Sequence, residues 1–172
     1  MKRILMICHG NICRSTMAEY VMRHLVAQHG ATDRIAVDSA AATRDAEGWG
    51  VHHKTQEVLR RHHVPCGDHR AWQMTPADYA CYDIICGMDE ENRSDILHIL
   101  GGSRRRGWHW QPMTATELAK ADPEGKVHLL LDWSSSPREI ADPWYTDDFE
   151  TTYRDVLEGG ESLLAAIEEG RA

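Results

Sequence analysis

The chain has 172 residues, 42% of them apolar and 27% charged, which fits a soluble globular protein and excludes a disordered one. It carries 19 Lys and Arg against 27 Asp and Glu, a formal charge of −8, and this argues against a general nucleic-acid binder. The apolar runs are a handful of residues long, far short of a membrane span.

Four short apolar runs read as strands covered on both faces: Ile4–Ile7, Ile35–Val37, Ile84–Cys86 and Val127–Leu131. Ile4–Ile7 is also too short for the apolar core of a signal peptide, and Cys8-His9 ends it, so a cytoplasmic protein is expected. After the first strand, a helical period runs from about Ser15 to Gln28, with Met17, Tyr20, Val21 and Leu25 on one face and Gly30 as a stop. A second helix is expected over Thr55–His63, ending before Pro65. A short one follows Thr75-Pro76, and another begins after Asp89 and stops at Gly101. Gly101 to Gly125 reads as a long irregular stretch, and so does Asp132 to Thr146, which is rich in Ser, Pro and Asp. A last helix spans about Phe149 to Glu169, with Tyr153, Val156, Leu157, Leu163 and Leu164 in its stripe.

This alternation predicts an α/β fold of three layers, a four-stranded parallel sheet flanked by helices, built as a single domain over residues 1–172. Charge is uneven along it. Residues 1–44 carry a net +3 and residues 132–172 a net −8, so the first segment is suited to an anionic ligand despite the acidic whole.

The informative segment lies between the first strand and the first helix: Cys8-His9-Gly10-Asn11-Ile12-Cys13-Arg14-Ser15. Open α/β sheets bind ligands at such junctions. A loop of this length can wrap a tetrahedral oxyanion with consecutive backbone N–H groups, and the following helix adds its positive end. Gly10 permits close approach or positive φ, and Asn11 tolerates the left-handed region. Arg14 offers a planar fork for two phosphate oxygens. The same field favours Cys8 as a thiolate nucleophile, with Ser15 placed to donate a hydrogen bond to the sulfur. A Cys and an Arg six residues apart recur by chance. The whole octet at a strand-to-helix junction is far more specific.

With Met17-Ala18-Glu19, Asp38-Ser39-Ala40, His69, Met88-Asp89 and Asp142-Pro143-Trp144-Tyr145, this octet resembles the low-molecular-weight protein-tyrosine phosphatases over nearly the whole chain. The resemblance implies Cys8 as nucleophile, Arg14 as phosphate ligand and Asp142 as general acid. It also implies that Asn11 and Ser39 brace the loop, that Ser15 bonds the sulfur, and that His69 joins a supporting network with Glu19 and Asp38. Substrates would be phosphotyrosine-containing proteins, phosphate, vanadate or sulfate would act as inhibitory oxyanions, and no cofactor, metal, nucleic acid or membrane is implied. Asp142 makes independent chemical sense. A leaving phenolate needs a proton and a later water must lose one, and one carboxyl group can serve both steps.

The chain departs from the family after the second strand. An aromatic cleft wall is implied there, but the row reads Ser39-Ala40-Ala41-Ala42-Thr43-Arg44-Asp45, with Asp45 at the aromatic position. Trp49, four residues on, is the candidate wall, with packing elsewhere as the alternative, and Trp144 and Tyr145 supply the opposite side. Cys13 is open to a reversible disulfide with Cys8 or to plain packing. Cys86 reads as core, and Cys66 and Cys81 carry no evident chemistry. His62, His63, Cys66 and His69 lack an established zinc spacing. Arg104-Arg105-Arg106 with Trp108 and Trp110 reads as a solvated loop rather than a nucleic-acid patch.

Three other functions share the loop logic. An arsenate reductase needs a further cysteine pair, and Gly87 to Gly101 contains no cysteine. A phosphoryl carrier needs neither Arg14 nor a loop acid. A protein-arginine phosphatase favours a small polar threonine before the second cysteine, where this chain has Ile12, better suited to a phenyl ring. Tyrosine phosphatase is the preferred reading.

Overall fold

The computed structural model describes residues 1–101 and 112–172. The arginine run at 104–106, Trp108 and Trp110 lie outside the described residues. Among the described residues, four strands form one parallel sheet: β1 (Lys2–Cys8), β2 (Ile35–Ala41), β3 (Ile84–Gly87) and β4 (Val127–Leu129), in the order β2-β1-β3-β4. The helices are α1 (Arg14–Gln28), α2 (His53–Arg61), α3 (Glu90–Leu100), α4 (Ala115–Ala121), the single turn α5 (Pro143–Thr146) and α6 (Phe149–Glu168).

β1 is apolar on both faces. Ile4 and Met6 join the larger core with α1, α2 and α6, while Leu5 and Ile7 join a second core with Tyr82, Met74 and Ile96 of α3. All four side chains are fully buried, which is the three-layer arrangement the continuous apolar run implies. β1 also lies where the chain changes direction across the sheet, with β2 on one side and β3 on the other, and Cys8 is its last residue. The site thereby falls at the carboxyl ends of the strands, at the topological switch point.

Several boundaries differ from the sequence reading. The apolar run Val127–Leu131 stays a strand only to Leu129. Asp132 Oδ2 accepts from Leu129 N–H at 2.8 Å and turns the chain into a 3-10 segment, Leu130–Trp133, where Leu130 and Leu131 are buried all the same. α6 packs closely on that segment at Gly159, where a Cβ would fall 2.7 Å from Leu130 Cγ. The stretch Gly101–Gly125 is not wholly irregular, since it contains α4. That helix is short and largely exposed, with Leu118 as its one large apolar side chain, but Thr114 and Glu117 form a reciprocal capping box at its start. α2 begins two residues early and ends at Arg61, since His63 adopts a positive φ of 57°. No described helix is long and apolar enough to cross a membrane.

Candidate active site

The loop after β1 is held from outside by its carbonyls. Cys8 O accepts from Ala42 N–H and His9 O from Thr43 N–H, at 2.9 and 3.1 Å, so the chain beyond β2 anchors the first half. Asn11 O is bonded to His69 Nε2 at 3.0 Å, and Ile12 O accepts from His52 N–H at 2.9 Å. Cys13 O accepts from Met17 N–H and starts α1. In a trans peptide the carbonyl and the next N–H point in opposite directions, so carbonyls committed outward turn the following N–H groups toward the centre of the loop. The positive φ falls on Asn11, at 57°, and not on Gly10.

Asn11 is completely buried and orders the hydroxyls around it. Its amide nitrogen donates to Ser15 Oγ at 3.0 Å and to Ser39 Oγ at 2.9 Å, and its Oδ1 accepts from Trp72 N–H. Each serine oxygen is thus an acceptor on one side, which frees its own proton for the other. Ser39 donates to Glu19 Oε2 at 2.5 Å, and Ser15 Oγ stands 3.0 Å from Cys8 Sγ with its proton available to the sulfur. Burial pushes the Glu19 carboxyl up, against the opposing pull of Ser39, Arg23 and His69. His69 Nδ1 lies 4.0 Å from Glu19. Asp38 meets this group through Arg23, which pairs with both Glu19 and Asp38; Asp38 also pairs with Arg3 and accepts from Tyr82.

Arg14, the first residue of α1, is 3% exposed in its side chain and sits between two carboxylates. Nη1 pairs with Asp89 and donates to Ile140 O, and Nη2 pairs with Asp142 Oδ2 at 2.6 Å. Burial alone would weaken its hold on the proton, but Cys8, Asp89 and Asp142 together outweigh it and push the guanidinium up. The sequence reading places Asp89 in the Met88-Asp89 motif and at the start of α3 but gives it no role at the site. It fills the capping role too, accepting from Asn92 N–H at 2.7 Å. Asp142 likewise caps a helix, accepting from Trp144 N–H at 3.0 Å, with Pro143 at the first helical position.

Cys8, Arg14 and Asp142 meet in one cleft of about 270 Å³, floored by the loop residues His9, Gly10, Ile12 and Cys13. Trp49, Trp144 and Tyr145 also line it and remain 58%, 59% and 86% exposed. Trp49 reaches the cleft because Gly48, at φ 82°, turns the chain and bonds to Ala71 O just before it. Asp45 stands at the rim, 2.8 Å from His9 Nε2. Cys13 is a buried thiol pushed up to about 12, chiefly by burial and then by Cys8 and Asp142. Cys86 is buried in β3, and Cys66 and Cys81 are exposed. His62 pairs with Glu150.

The arrangement is suited to holding a tetrahedral oxyanion against a thiol, with a fixed cation and a carboxylate on the far side of it. The chain belongs to the low molecular weight phosphotyrosine protein phosphatase family, whose model matches residues 3–108. It is 31% identical to the low molecular weight protein-tyrosine-phosphatase YfkJ of Bacillus subtilis, over 96% of both chains. The crystal structure of YfkJ superimposes with a TM-score of 0.84, covering 100% of this chain and 98% of that one. The human low molecular weight phosphotyrosine protein phosphatase is 34% identical over 91% of this chain and 89% of its own. A Drosophila arginine phosphatase structure has a TM-score of 0.77 at 25% identity, covering 98% of each chain.

Proposed function

We propose that the protein hydrolyses phosphotyrosine in protein substrates, and aryl phosphates generally, through a phosphocysteine intermediate. The observation that carries this reading is the convergence of Cys8, Arg14 and Asp142 in a cleft walled by three exposed aromatic side chains. A phosphate seated in the loop takes hydrogen bonds from the inward N–H groups and two from the Arg14 fork, while Asp89 keeps that fork in place. Cys8 Sγ forms a bond to phosphorus as the bond to the aryl oxygen breaks, and Asp142 gives that oxygen its proton. Water then attacks phosphorus, Asp142 takes a proton back, and the S–P bond breaks to release inorganic phosphate. The Ser15 hydroxyl stabilises the departing sulfur.

Residues 1–172 act as one catalytic domain in this reading, and phosphate, vanadate and sulfate compete for the loop. A cytoplasmic location accords with five unpaired cysteines. The test is a turnover panel of phosphotyrosine, phosphoserine and phosphoarginine substrates on wild type and Cys8→Ser. Phosphotyrosine is expected to be preferred, with turnover abolished in Cys8→Ser. Equal kcat/KM for phosphotyrosine and phosphoserine peptides, or Cys8→Ser activity within about tenfold of wild type, would refute the proposal. Preference for phosphoarginine would move the chain to the arginine-phosphatase reading, against the apolar Ile12 in the cleft floor.

A further inference from the structure

His52, which the cysteine-and-arginine chemistry does not use, links the anion loop and one of the cleft's aromatic side chains to the head of α6. Its N–H donates to Ile12 O at 2.9 Å and so ties the start of α2 to the anion loop. Its ring stacks on Phe149 at the head of α6, with centroids 5.2 Å apart and 7° between the planes. The same ring meets Trp144 edge-on, at 6.0 Å and 72°. Trp144 lies two residues beyond Asp142, lines the cleft and is more than half exposed, so this contact matters to where it stands.

The imidazole is also the N-cap of α2, its Nδ1 accepting from Lys54 N–H at 3.3 Å. That bond exists only while Nδ1 carries no proton. Facing the ring are His53, with centroids 4.4 Å apart, and Lys54, both from α2, and Asp147 from the turn after α5, which pairs with Lys54. α6 and α5 present aryl faces to it, from Phe149 and Trp144.

We propose that His52 is a positioning residue for aryl substrates: as a neutral imidazole it props Trp144 against the cleft, and protonation releases that wall. The inference rests on the aryl-phosphatase reading above. Burial, reinforced by His53 and Lys54 and opposed by Asp147, lowers the ring's hold on a proton. The undocked ring therefore binds a proton more tightly than the docked one. The docked wall is favoured above about pH 6.5, and the released wall gains as pH falls below it.

Calorimetric titration of the intact protein with phenylphosphonate and with inorganic phosphate separates the wall from the loop. His52→Asn keeps a capping acceptor and removes the ring. It is expected to weaken phenylphosphonate by about threefold to tenfold while phosphate changes less than about twofold. For a phosphotyrosine peptide the loss falls on KM rather than kcat. His52→Phe keeps the stack and cannot titrate. It should bind phenylphosphonate much as wild type does near pH 7.5, and the variant-to-wild-type affinity ratio should rise toward about pH 5.5. In a Trp144→Ala background, His52→Asn should have no further effect. Equal weakening of both probes by His52→Asn would overturn the proposal, as would an effect that persists without Trp144 or a pH response unchanged in His52→Phe. If wild type binds neither probe, it is the phosphatase reading that fails. Tight binding of both with no sensitivity to His52 sinks this inference alone.

Discussion

Asp142→Asn should move binding and turnover in opposite directions. Asp142 Oδ2 accepts from Arg14 Nη2 at 2.6 Å, and an oxyanion that draws on Nη2 competes with it for that charge. The two side chains are 3% and 22% exposed, so water screens the pair little. A hydrogen bond to a charged group contributes about 1.5–3 kcal/mol, and a neutral acceptor gives about half of that. The amide would therefore hold Arg14 less tightly by about 0.75–1.5 kcal/mol. Inorganic phosphate should bind about threefold to twelvefold tighter, measured by calorimetric titration. The amide still caps Trp144 through its oxygen, so the turn is kept. It has no proton to deliver, however, and phosphotyrosine hydrolysis should fall by about 10²–10⁴-fold. Nitrophenolate is about three pKa units less basic than the phenolate of tyrosine, near ~10, and needs the proton less. A pre-steady-state burst of nitrophenolate should accordingly be slowed much less than phosphotyrosine cleavage. Phosphate binding no tighter than wild type would mean that Asp142 does not compete for Arg14. A burst slowed as severely as phosphotyrosine cleavage would mean that another group is the acid.

Three further outcomes are expected. Arg14→Lys cannot reach Asp89 and Asp142 and also fork two phosphate oxygens, so kcat should drop by about 10²–10³-fold; a rise in KM alone would limit Arg14 to binding. Asn11→Ala combines a left-handed φ of 57° with the loss of bonds to Ser15 and Ser39 and should destabilise by about 2–4 kcal/mol in urea unfolding. Asn11→Gly should recover the backbone share only, and equal loss in both would show that the φ is not strained. Cys13, buried and pushed up to about 12, should alkylate near neutral pH far more slowly than the exposed Cys81 and faster as pH rises, as followed by peptide mass spectrometry. Modification at the rate of an exposed thiol would contradict its burial.

Much of the scaffold was legible because its signals are local. The run Ile4–Ile7 is apolar at every position, as a strand buried on both faces requires, so its place between two helical layers followed from the residues alone. Cys8, Arg14 and Ser15 lie within eight residues, so one loop brings them together whatever the rest of the chain does. α4 was missed because its seven residues carry one large apolar side chain, and the end of β4 was missed because Leu130 and Leu131 are as buried in a turn as they would be in a strand.

The sequence by itself determined the strand–loop–helix that holds the anion, since hydrophobic periodicity, a residue tolerant of positive φ and a helix start are all short-range matters. Only the tertiary structure decided who meets Arg14. Asp89 and Asp142 stand 75 and 128 residues away in sequence and look there like ordinary helix caps. Folding brings both carboxylates to one buried guanidinium, whose charge must be compensated once water is removed. The same holds for the aromatic wall. Trp49 comes from the connection between β2 and α2 and Trp144 from the turn after Asp142, and no spacing along the chain encodes that the two line one cleft.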